Sequence, residues 1–159
     1  MKNYIQKIRT KIGRDKFIHP AARIIIENNQ NEILIIRRRD NGKYGLPAGA
    51  LEENETIEQC IIREVKEETG LLLKKVEVIG ISSDPELESV DYPNGDRIQY
   101  FTIEFYANQW EGVLRSSGDA EIRQVLFIDQ PDMLPLPDNE RSIFDSLRYY
   151  RSSGKILVK

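Results

Sequence analysis

Apolar and polar positions in the first third of the chain predict two short strands. Residues 21–27 contain three consecutive isoleucines, a β-branched run that favours extended backbone. The asparagine-rich residues 28–31 are a turn signal, and residues 32–38 predict a second strand. Because so short a turn joins the two runs, we expect them to pair as a β-hairpin. The basic segment before them, residues 1–17, fits either a helix or an edge strand.

The clearest helical pattern covers residues 57–69. Thr56 is followed three residues later by Gln59, a spacing typical of a capping box at a helix N-terminus. Gly70 occupies the position of a left-handed C-terminal cap. At a step of about 100° per residue, the apolar side chains fall on one side of the predicted helix. This apolar arc consists of Ile57, Cys60, Ile61 and Val65.

Three acids of the predicted helix lie within or beside its apolar arc. They are Glu64, Glu67 and Glu68. Burial of uncompensated charge is costly, so these carboxylates need cations nearby. Arg63 alone cannot balance them together with Glu55 and Glu58. The simplest source of the missing positive charge is a divalent metal ion with oxygen ligands, Mg²⁺ or Mn²⁺.

Beyond this helix the pattern predicts three more strands and one more helix. Residues 75–81 and 125–128 are short apolar strands. Residues 98–108 alternate well and predict a long strand, whose mixed polar and apolar face is a candidate wall for a nucleotide site. The final helix is predicted to run from a cap at Asp138 or Asn139 through Tyr149 or Tyr150.

Composition and length narrow the class of protein. Hydrophobic residues make up 40% of the chain and charged residues 31%, as in a soluble globular protein. A net charge of −3 argues against a general nucleic-acid-binding surface. No segment resembles a signal peptide or could span a bilayer, so we expect a cytoplasmic location. We expect residues 1–17 to be a lead-in segment and residues 18–159 to form a single domain.

The cysteine and histidine counts exclude several kinds of site. The single cysteine, Cys60, excludes an intramolecular disulfide and is expected to fill the core. The single histidine, His19, excludes a metal site built from several histidines. It also argues against a Ser-His-Asp triad, and we expect His19 to be structural.

The residues around the predicted helix match a family signature. Its positions are Gly49, Glu55, Arg63, Glu64, Val65, Glu67, Glu68, Gly70 and Leu71. This pattern over residues 49–71 resembles the Nudix box, with every defined position filled. A chance match at average residue frequencies would occur about once in 10⁹ starting points or less. The alternative is a solvated helix held by i, i+4 ion pairs such as Arg63 with Glu67.

The resemblance implies a fold and a reaction. The fold is a Nudix-type α/β/α sandwich with a mixed β-sheet, and a homodimer is a further expectation. The reaction is metal-dependent hydrolysis of a pyrophosphate bond in a nucleoside diphosphate linked to another group. The implied metal ligands are the carbonyl of Gly49 and the carboxylates of Glu64, Glu67 and Glu68. Glu64 or Glu67 could instead orient or deprotonate the attacking water.

Three more residues are catalytic candidates around this helix. Glu55 can pair with Arg63, which would fix the loop before the helix and reduce repulsion among the acids. A purely structural role for this pair is the alternative we favour over direct catalysis.

Members of the family often use an acid from a late loop, and Glu121 lies in the corresponding region, with Glu104 and Glu111 as alternatives. Other acids of the box, Glu52 and Glu53 among them, are interpreted as solvated.

Basic and aromatic residues before the box are candidate substrate contacts. Arg37, Arg38, Arg39 and Lys43 could neutralise phosphate groups beside the metal, and Tyr44 could stack on a base. Solvated strand ends and a tyrosine that covers the core are the alternatives.

Two features favour ADP-ribose or a related nucleotide sugar as the substrate. The sequence Pro47-Ala48-Gly49 resembles that of ADP-sugar hydrolases of the family, and Pro85 follows Gly70 by fifteen residues, as in its ADP-ribose hydrolases. Turns favour proline for other reasons, so the second feature carries less weight. Nucleoside triphosphates, dinucleoside polyphosphates and the 5′ end of RNA are alternative substrates. A non-catalytic nucleotide-sensing module is the alternative to an enzyme.

Overall fold

Strands run through the middle of the protein, and helices cover them on two sides. The structure is a computed structural model that describes residues 3–115 and 120–159. Its helices are α1 (Tyr4–Ile12), α2 (Ile57–Thr69), α3 (Pro85–Glu88), α4 (Asp138–Arg141) and α5 (Ile143–Ser153). Its strands are β1 (Phe17–Ile26), β2 (Ile33–Arg38), β3 (Tyr44–Gly45), β4 (Ala48–Ala50), β5 (Leu72–Leu73), β6 (Glu77–Ser82), β7 (Ser89–Asp91), β8 (Arg97–Ala107), β9 (Trp110–Glu111), β10 (Ile122–Ile128) and β11 (Leu157–Val158).

The main sheet contains parallel and antiparallel strands. Its order is β11-β6-β8-β1-β4, with β7 paired to β8. β1 and β8 run parallel along the whole of β1, and β6 and β4 pair antiparallel with β8 and β1. A smaller antiparallel sheet has the order β10-β2-β3, and β5 pairs with β9. The predicted strands 75–81, 98–108 and 125–128 correspond to β6, β8 and β10, with small shifts at their ends.

The side chains of β1 show how the sheet is covered from both sides. Ile24 and Ile26 pack in a cluster with Ile61 of α2. Ile25, which points the other way, packs in a second cluster with Phe144 of α5. Two buried faces explain why β1 reads as a continuous apolar run instead of an alternating one. The arrangement confirms the predicted α/β/α sandwich with a mixed sheet.

The predicted hairpin between residues 21–27 and 32–38 is wrong. β1 and β2 lie in different sheets and meet at an isolated bridge between Glu27 and Ile33. β1 pairs instead with β8 and β4, whereas β2 pairs with β10 and β3. Because β1 and β2 are largely buried on both faces, their side chains carry no pattern that specifies the neighbouring strand.

The helices follow the predictions unequally. For residues 1–17 the sequence fits either a helix or an edge strand. The structure shows that they contain α1 and the beginning of β1. The C-terminal helix is not capped by Asp138 or Asn139. α4 begins after Pro137, and Ser142 separates it from α5, which ends at a left-handed Gly154. No helix among residues 3–115 and 120–159 is long and apolar enough to cross a membrane.

The mixed face of β8 is partly buried, because Thr102 and Glu104 are buried whereas Tyr100 and Tyr106 are half-buried. The nucleotide wall predicted there stays a prediction.

Glu104 of β8 is 0% exposed and lies 3.0 Å from the Nζ of Lys159 and 3.8 Å from an Nη of Arg23. Glu88 is also 0% exposed and accepts two hydrogen bonds from Arg23, at 3.1 and 3.2 Å. We call these four residues the buried charge cluster. Its positive and negative charges stabilise one another inside the protein, where burial of any one charge without a partner would be costly.

Candidate active site

Helix α2 carries the acids of the candidate site and is fixed by local sequence at both ends. The hydroxyl of Thr56 accepts a hydrogen bond from the backbone of Gln59 at 3.1 Å, which confirms the capping box. Gly70 has φ 85° and ends the helix in the left-handed conformation. The predicted boundaries of this helix are confirmed. Cys60 and Val65 are buried against the sheet, and burial raises the pKa of the Cys60 thiol to about 12.

The absence of a side chain at Gly49 brings the backbone of β4 against Glu64. A Cβ added to Gly49 would lie 2.1 Å from the carboxyl carbon of Glu64, so any other residue would displace that carboxylate. The carbonyl oxygen of Gly49 lies 3.9 Å from the Sγ of Cys60, which belongs to α2 like Glu64. The structure therefore places the backbone of Gly49 directly against the carboxylate of Glu64, and both residues are predicted metal ligands.

Glu64 lies in an environment that opposes its charge. Its side chain is 19% exposed, and burial raises its pKa to about 7. Arg63 opposes this rise through a hydrogen bond, whereas the charges of Glu67 and Glu121 add to it. A divalent cation beside Glu64 would favour the ionised carboxylate, so the site fits the predicted kind of ligand.

Arg63 connects the acids of the site. It forms a two-pronged pair with Glu55, with hydrogen bonds of 2.9 and 2.8 Å, and this pairing is the main cause that lowers the pKa of Glu55. Its remaining Nη donates to Glu64 at 2.8 Å and to Glu67 at 3.3 Å. The predicted pair of Glu55 with Arg63 is thus present and extends to two acids of the helix.

Glu67 and Glu68 lie in different surroundings. The side chain of Glu67 is 54% exposed, whereas Glu68 is buried and accepts a hydrogen bond from the backbone of Ala48 at 3.1 Å. Within residues 3–115 and 120–159, no three Asp, Glu, His or Cys side chains are gathered as metal ligands. The reason is visible in the contacts, because Glu64 and Glu67 turn to Arg63 and Glu68 turns to β4.

The predicted substrate residues lie on β2, β3 and the turn between them. The Nε of Arg37 donates to the Gly42 carbonyl at 2.9 Å, and its guanidinium lies 5.3 Å from the centre of the Tyr44 ring. Lys43, between them in sequence, is exposed. Arg37 and Tyr44 therefore form a cation–π pair at the surface.

Arg38 is held by Glu140, an acid that no sequence motif indicates. It donates to Glu140 at 3.1 Å, and the other oxygen of this buried carboxylate accepts from the backbone of Leu46 at 2.6 Å. Leu46 lies in the segment that leads into the box. Arg38 thus supports that segment through Glu140, and no local motif relates residues 94 positions apart.

Arg39 and Glu121 meet at the edge of the site. The backbone N–H of Arg39 donates to the carbonyl of Glu121 at 2.9 Å, and both residues are exposed. The negative charge of Glu121 is one of the causes that raise the pKa of Glu64. A catalytic role for Glu121 stays a prediction.

Surface cavities lie beside other parts of the chain. One, of about 490 Å³, is lined by Asn28, Lys74 and Trp110 among others, and a second, of about 370 Å³, lies between α1 and Glu53. Neither includes Glu64, Glu67 or Glu68 in its lining.

Comparison with known sequences identifies relatives of this chain. A family model of the NUDIX domain matches residues 17–147. The ADP-ribose pyrophosphatase of Methanocaldococcus jannaschii is 35% identical over 157 residues, which cover 93% of this chain and 87% of that protein. The NAD-capped RNA hydrolase NudC of Vibrio parahaemolyticus is 37% identical over 98 residues, 57% of this chain and 37% of that protein.

Solved structures show the same fold at low sequence identity. A MutT Nudix hydrolase from Burkholderia pseudomallei superposes with a TM-score of 0.68 at 21% identity, over 82% of this chain and 98% of that one. The Nudix domain of Shewanella oneidensis NrtR, solved with ADP-ribose, has a TM-score of 0.66 at 16% identity, over 95% and 99% of the two chains. Together with the family match over residues 17–147, the acidic helix and its Gly49 contact identify this chain as a member of the Nudix hydrolase family, which acts on pyrophosphate bonds.

Proposed function

We propose that this Nudix pyrophosphohydrolase cleaves ADP-ribose or a closely related nucleoside diphosphate sugar, with Mg²⁺ or Mn²⁺ as its cofactor. Water would attack one phosphorus atom, the P–O–P bond would break, and ADP-ribose would yield AMP and ribose 5-phosphate. The substrate class is supported by the 35% identity to an ADP-ribose pyrophosphatase across 93% of this chain. The Pro47-Ala48-Gly49 sequence at the entry to the box favours the same class.

The single observation that carries the proposed chemistry is the contact between Glu64 and the Gly49 backbone. Nudix hydrolases generally use divalent metal ions. The Gly49 carbonyl and the carboxylates of Glu64, Glu67 and Glu68 would hold such an ion, since hard cations of this kind prefer oxygen ligands. When bound, the ion supplies positive charge for the phosphates and lowers the pKa of a water molecule.

The protein's own residues contribute orientation and charge. Arg63 holds the carboxylate of Glu64 in place while Glu55 holds Arg63 from the other side. We propose that Glu64 or Glu67 orients the attacking water and that Glu121 adds an acid from the edge of the site. Positioning of this kind is the main contribution a protein can make to phosphoryl chemistry.

The basic residues before the box divide into two proposed roles. Arg37 with Tyr44, together with Lys43 and Arg39, would face the nucleotide, because these residues lie near the surface at the end of β2. Arg38 would instead act indirectly, because its guanidinium is paired with the buried Glu140.

A second substrate class and three further predictions accompany this proposal. RNA 5′ ends are a second candidate substrate class, favoured by the 37% identity to an NAD-capped RNA hydrolase over 98 residues. A homodimer, a cytoplasmic location and the division into residues 1–17 and 18–159 stay predictions.

A substrate panel tests the proposed function. With Mg²⁺ or Mn²⁺, we expect ADP-ribose to be hydrolysed with a kcat/KM at least about tenfold above that for nucleoside triphosphates, dinucleoside polyphosphates and 5′-capped RNA. The products are separated by ion-exchange chromatography and identified as AMP and ribose 5-phosphate. Preference for a triphosphate or for RNA would overturn the substrate class, and the absence of product from every substrate would overturn the assignment as a hydrolase.

A further inference from the structure

Helix α1 lies against the loop that precedes α2, although none of its residues, all of which the structure describes, is buried. The backbone N–H of Tyr4 donates to the carboxylate of Glu52 at 2.9 Å, and the Nζ of Lys7 lies 2.6 Å from Glu53. Both acids were expected to be solvated. The structure corrects that interpretation for Glu52, whereas Glu53 stays exposed within its ion pair. Both acids join the N-terminal helix to the first part of the Nudix box.

The hydrogen bond to Glu52 uses a donor that the helix itself cannot satisfy. Tyr4 is the first residue of α1, after the cap residue Asn3, and N–H groups in the first turn have no acceptor within the helix. A carboxylate at this position also benefits from the partial positive charge of the helix N-terminus. Glu52 therefore has a specific contact, in contrast to the exposed ion pair of Lys7 with Glu53.

The other end of α1 is fixed independently of the core. Arg9 donates to the carbonyls of Asp15 and Arg97, at 2.7 and 2.8 Å, and its guanidinium lies 4.8 Å from the centre of the Phe17 ring. The N-terminal end of α1 is thereby held over the loop at Glu52, even though α1 has no buried side chain.

His19 holds the same loop from the direction of β1. It is buried, and one of its ring nitrogens lies 3.1 Å from the carbonyl of Leu51, the residue before Glu52. Burial lowers the pKa of His19, so its ring is neutral near pH 7 and donates to this carbonyl through the protonated nitrogen. The ring of Tyr4 lies 5.7 Å from the His19 ring, which places α1 and β1 together around Leu51 and Glu52.

A continuous series of hydrogen bonds leads from this loop to the acids of α2. The backbone N–H of Glu52 donates to Glu55 at 2.9 Å. Glu55 in turn accepts from Arg63 at 2.8 Å, and Arg63 donates to Glu64 at 2.8 Å. These hydrogen bonds connect the backbone of Glu52 to the carboxylate that lies against Gly49.

We infer that α1 positions the Nudix box and that Glu52 is the positioning residue through which it acts. Glu52 does not touch the reacting groups. It fixes the loop, and the loop fixes the Glu55–Arg63 pair that orients Glu64. This role in catalysis rests on the proposed hydrolase function, while the effect on the loop is a property of the protein alone.

Two substitutions at Tyr4 separate the hydrogen bond from the side chain. Y4P removes the N–H that donates to Glu52, yet proline is well tolerated as the first residue of a helix, and the extended backbone of Asn3 suits a following proline. Y4A removes the same aromatic ring and keeps the N–H. With ADP-ribose and Mg²⁺, we expect kcat about fivefold lower in Y4P than in Y4A, with KM within about twofold.

Hydrogen exchange in metal-free protein gives a readout that does not depend on the substrate. We expect the backbone N–H of Glu52 and the Nε–H of Arg63 to exchange several-fold faster in Y4P than in Y4A, while the thermal midpoints of the two variants agree. Equal exchange at both groups would overturn the inference, whatever the substrate. Faster exchange with equal kcat would overturn its catalytic part, and failure of ADP-ribose as a substrate with faster exchange would count against the proposed function alone.

Variants of the loop acids repeat the test from the other side of the contact. E52A should reproduce the lower kcat and the faster exchange of Y4P, and E52Q should recover most of both, because its amide oxygen still accepts a hydrogen bond. E53A is the matched control, since it breaks the exposed ion pair with Lys7 between the same two segments. An effect of E53A as large as that of E52A would show that the contact to the Tyr4 N–H has no special role.

Discussion

Replacement of Glu67 by glutamine is expected to lower kcat for ADP-ribose by at least about 10²-fold while the protein stays folded. The substitution keeps the shape of the side chain and removes the negative charge that we propose binds the metal ion. Little stability should be lost, because the side chain is 54% exposed and its 3.3 Å contact with Arg63 is the longest that Arg63 makes with an acid. The measurement is steady-state kinetics at saturating Mg²⁺, with the thermal midpoint recorded in parallel.

Glu58 provides the control for this substitution. It lies in the first turn of the same helix and is exposed. E58Q removes one negative charge from α2 without touching a proposed ligand, so its kcat should stay near that of the unmodified protein. Unchanged activity in E67Q, or an equal loss in E58Q, would contradict the role given to Glu67.

Replacement of Arg23 by methionine is expected to lower the free energy of unfolding by about 3–5 kcal/mol. Arg23 makes two hydrogen bonds to Glu88 and lies 3.8 Å from Glu104, and both acids are 0% exposed. The substitution retains much of the side-chain volume but leaves Glu88 without its opposite charge in the interior. Such a loss is large beside the total stability of about 5–15 kcal/mol that is usual for a domain.

Urea denaturation followed by tryptophan fluorescence and circular dichroism measures this effect. The double variant R23M/E88Q should be more stable than R23M, because it removes the charge that the single substitution leaves unpaired. R148M is the surface control, since Arg148 pairs with Asp145 where both side chains are well exposed, and no measurable change is expected. Equal stability of R23M and R148M would show that the buried charge cluster does not stabilise the fold.

The predictability of α2 and its acids follows from local signals. Thr56, Gln59 and Gly70 specify both ends of the helix through contacts within a few residues, and the structure confirms these ends. The contact between Glu55 and Arg63 also joins residues close in sequence, eight positions apart. Local spacing of this kind was sufficient to indicate the acidic helix and its neighbouring arginine.

The features that sequence did not indicate depend on residues far apart in the chain. β1 pairs with β8, whose residues follow some eighty positions later. Because β1 is buried on both faces, its side chains carry no pattern that predicts this pairing. The contact of Tyr4 with Glu52 spans 48 positions and uses a backbone N–H, which has no residue-specific pattern. Glu104 lies on an alternating strand, and only the fold brings Arg23 and Lys159 to it.

Manganese binding tests most directly whether the acids of α2 hold a catalytic cation. Crystals grown with saturating Mn²⁺ and a non-hydrolysable ADP-ribose analogue are measured at a wavelength where manganese scatters anomalously. We expect an anomalous peak in contact with the Gly49 carbonyl and with carboxylate oxygens of Glu64, Glu67 and Glu68. Clear density for the analogue with no manganese peak at these residues would contradict the proposed metal site and the mechanism that depends on it.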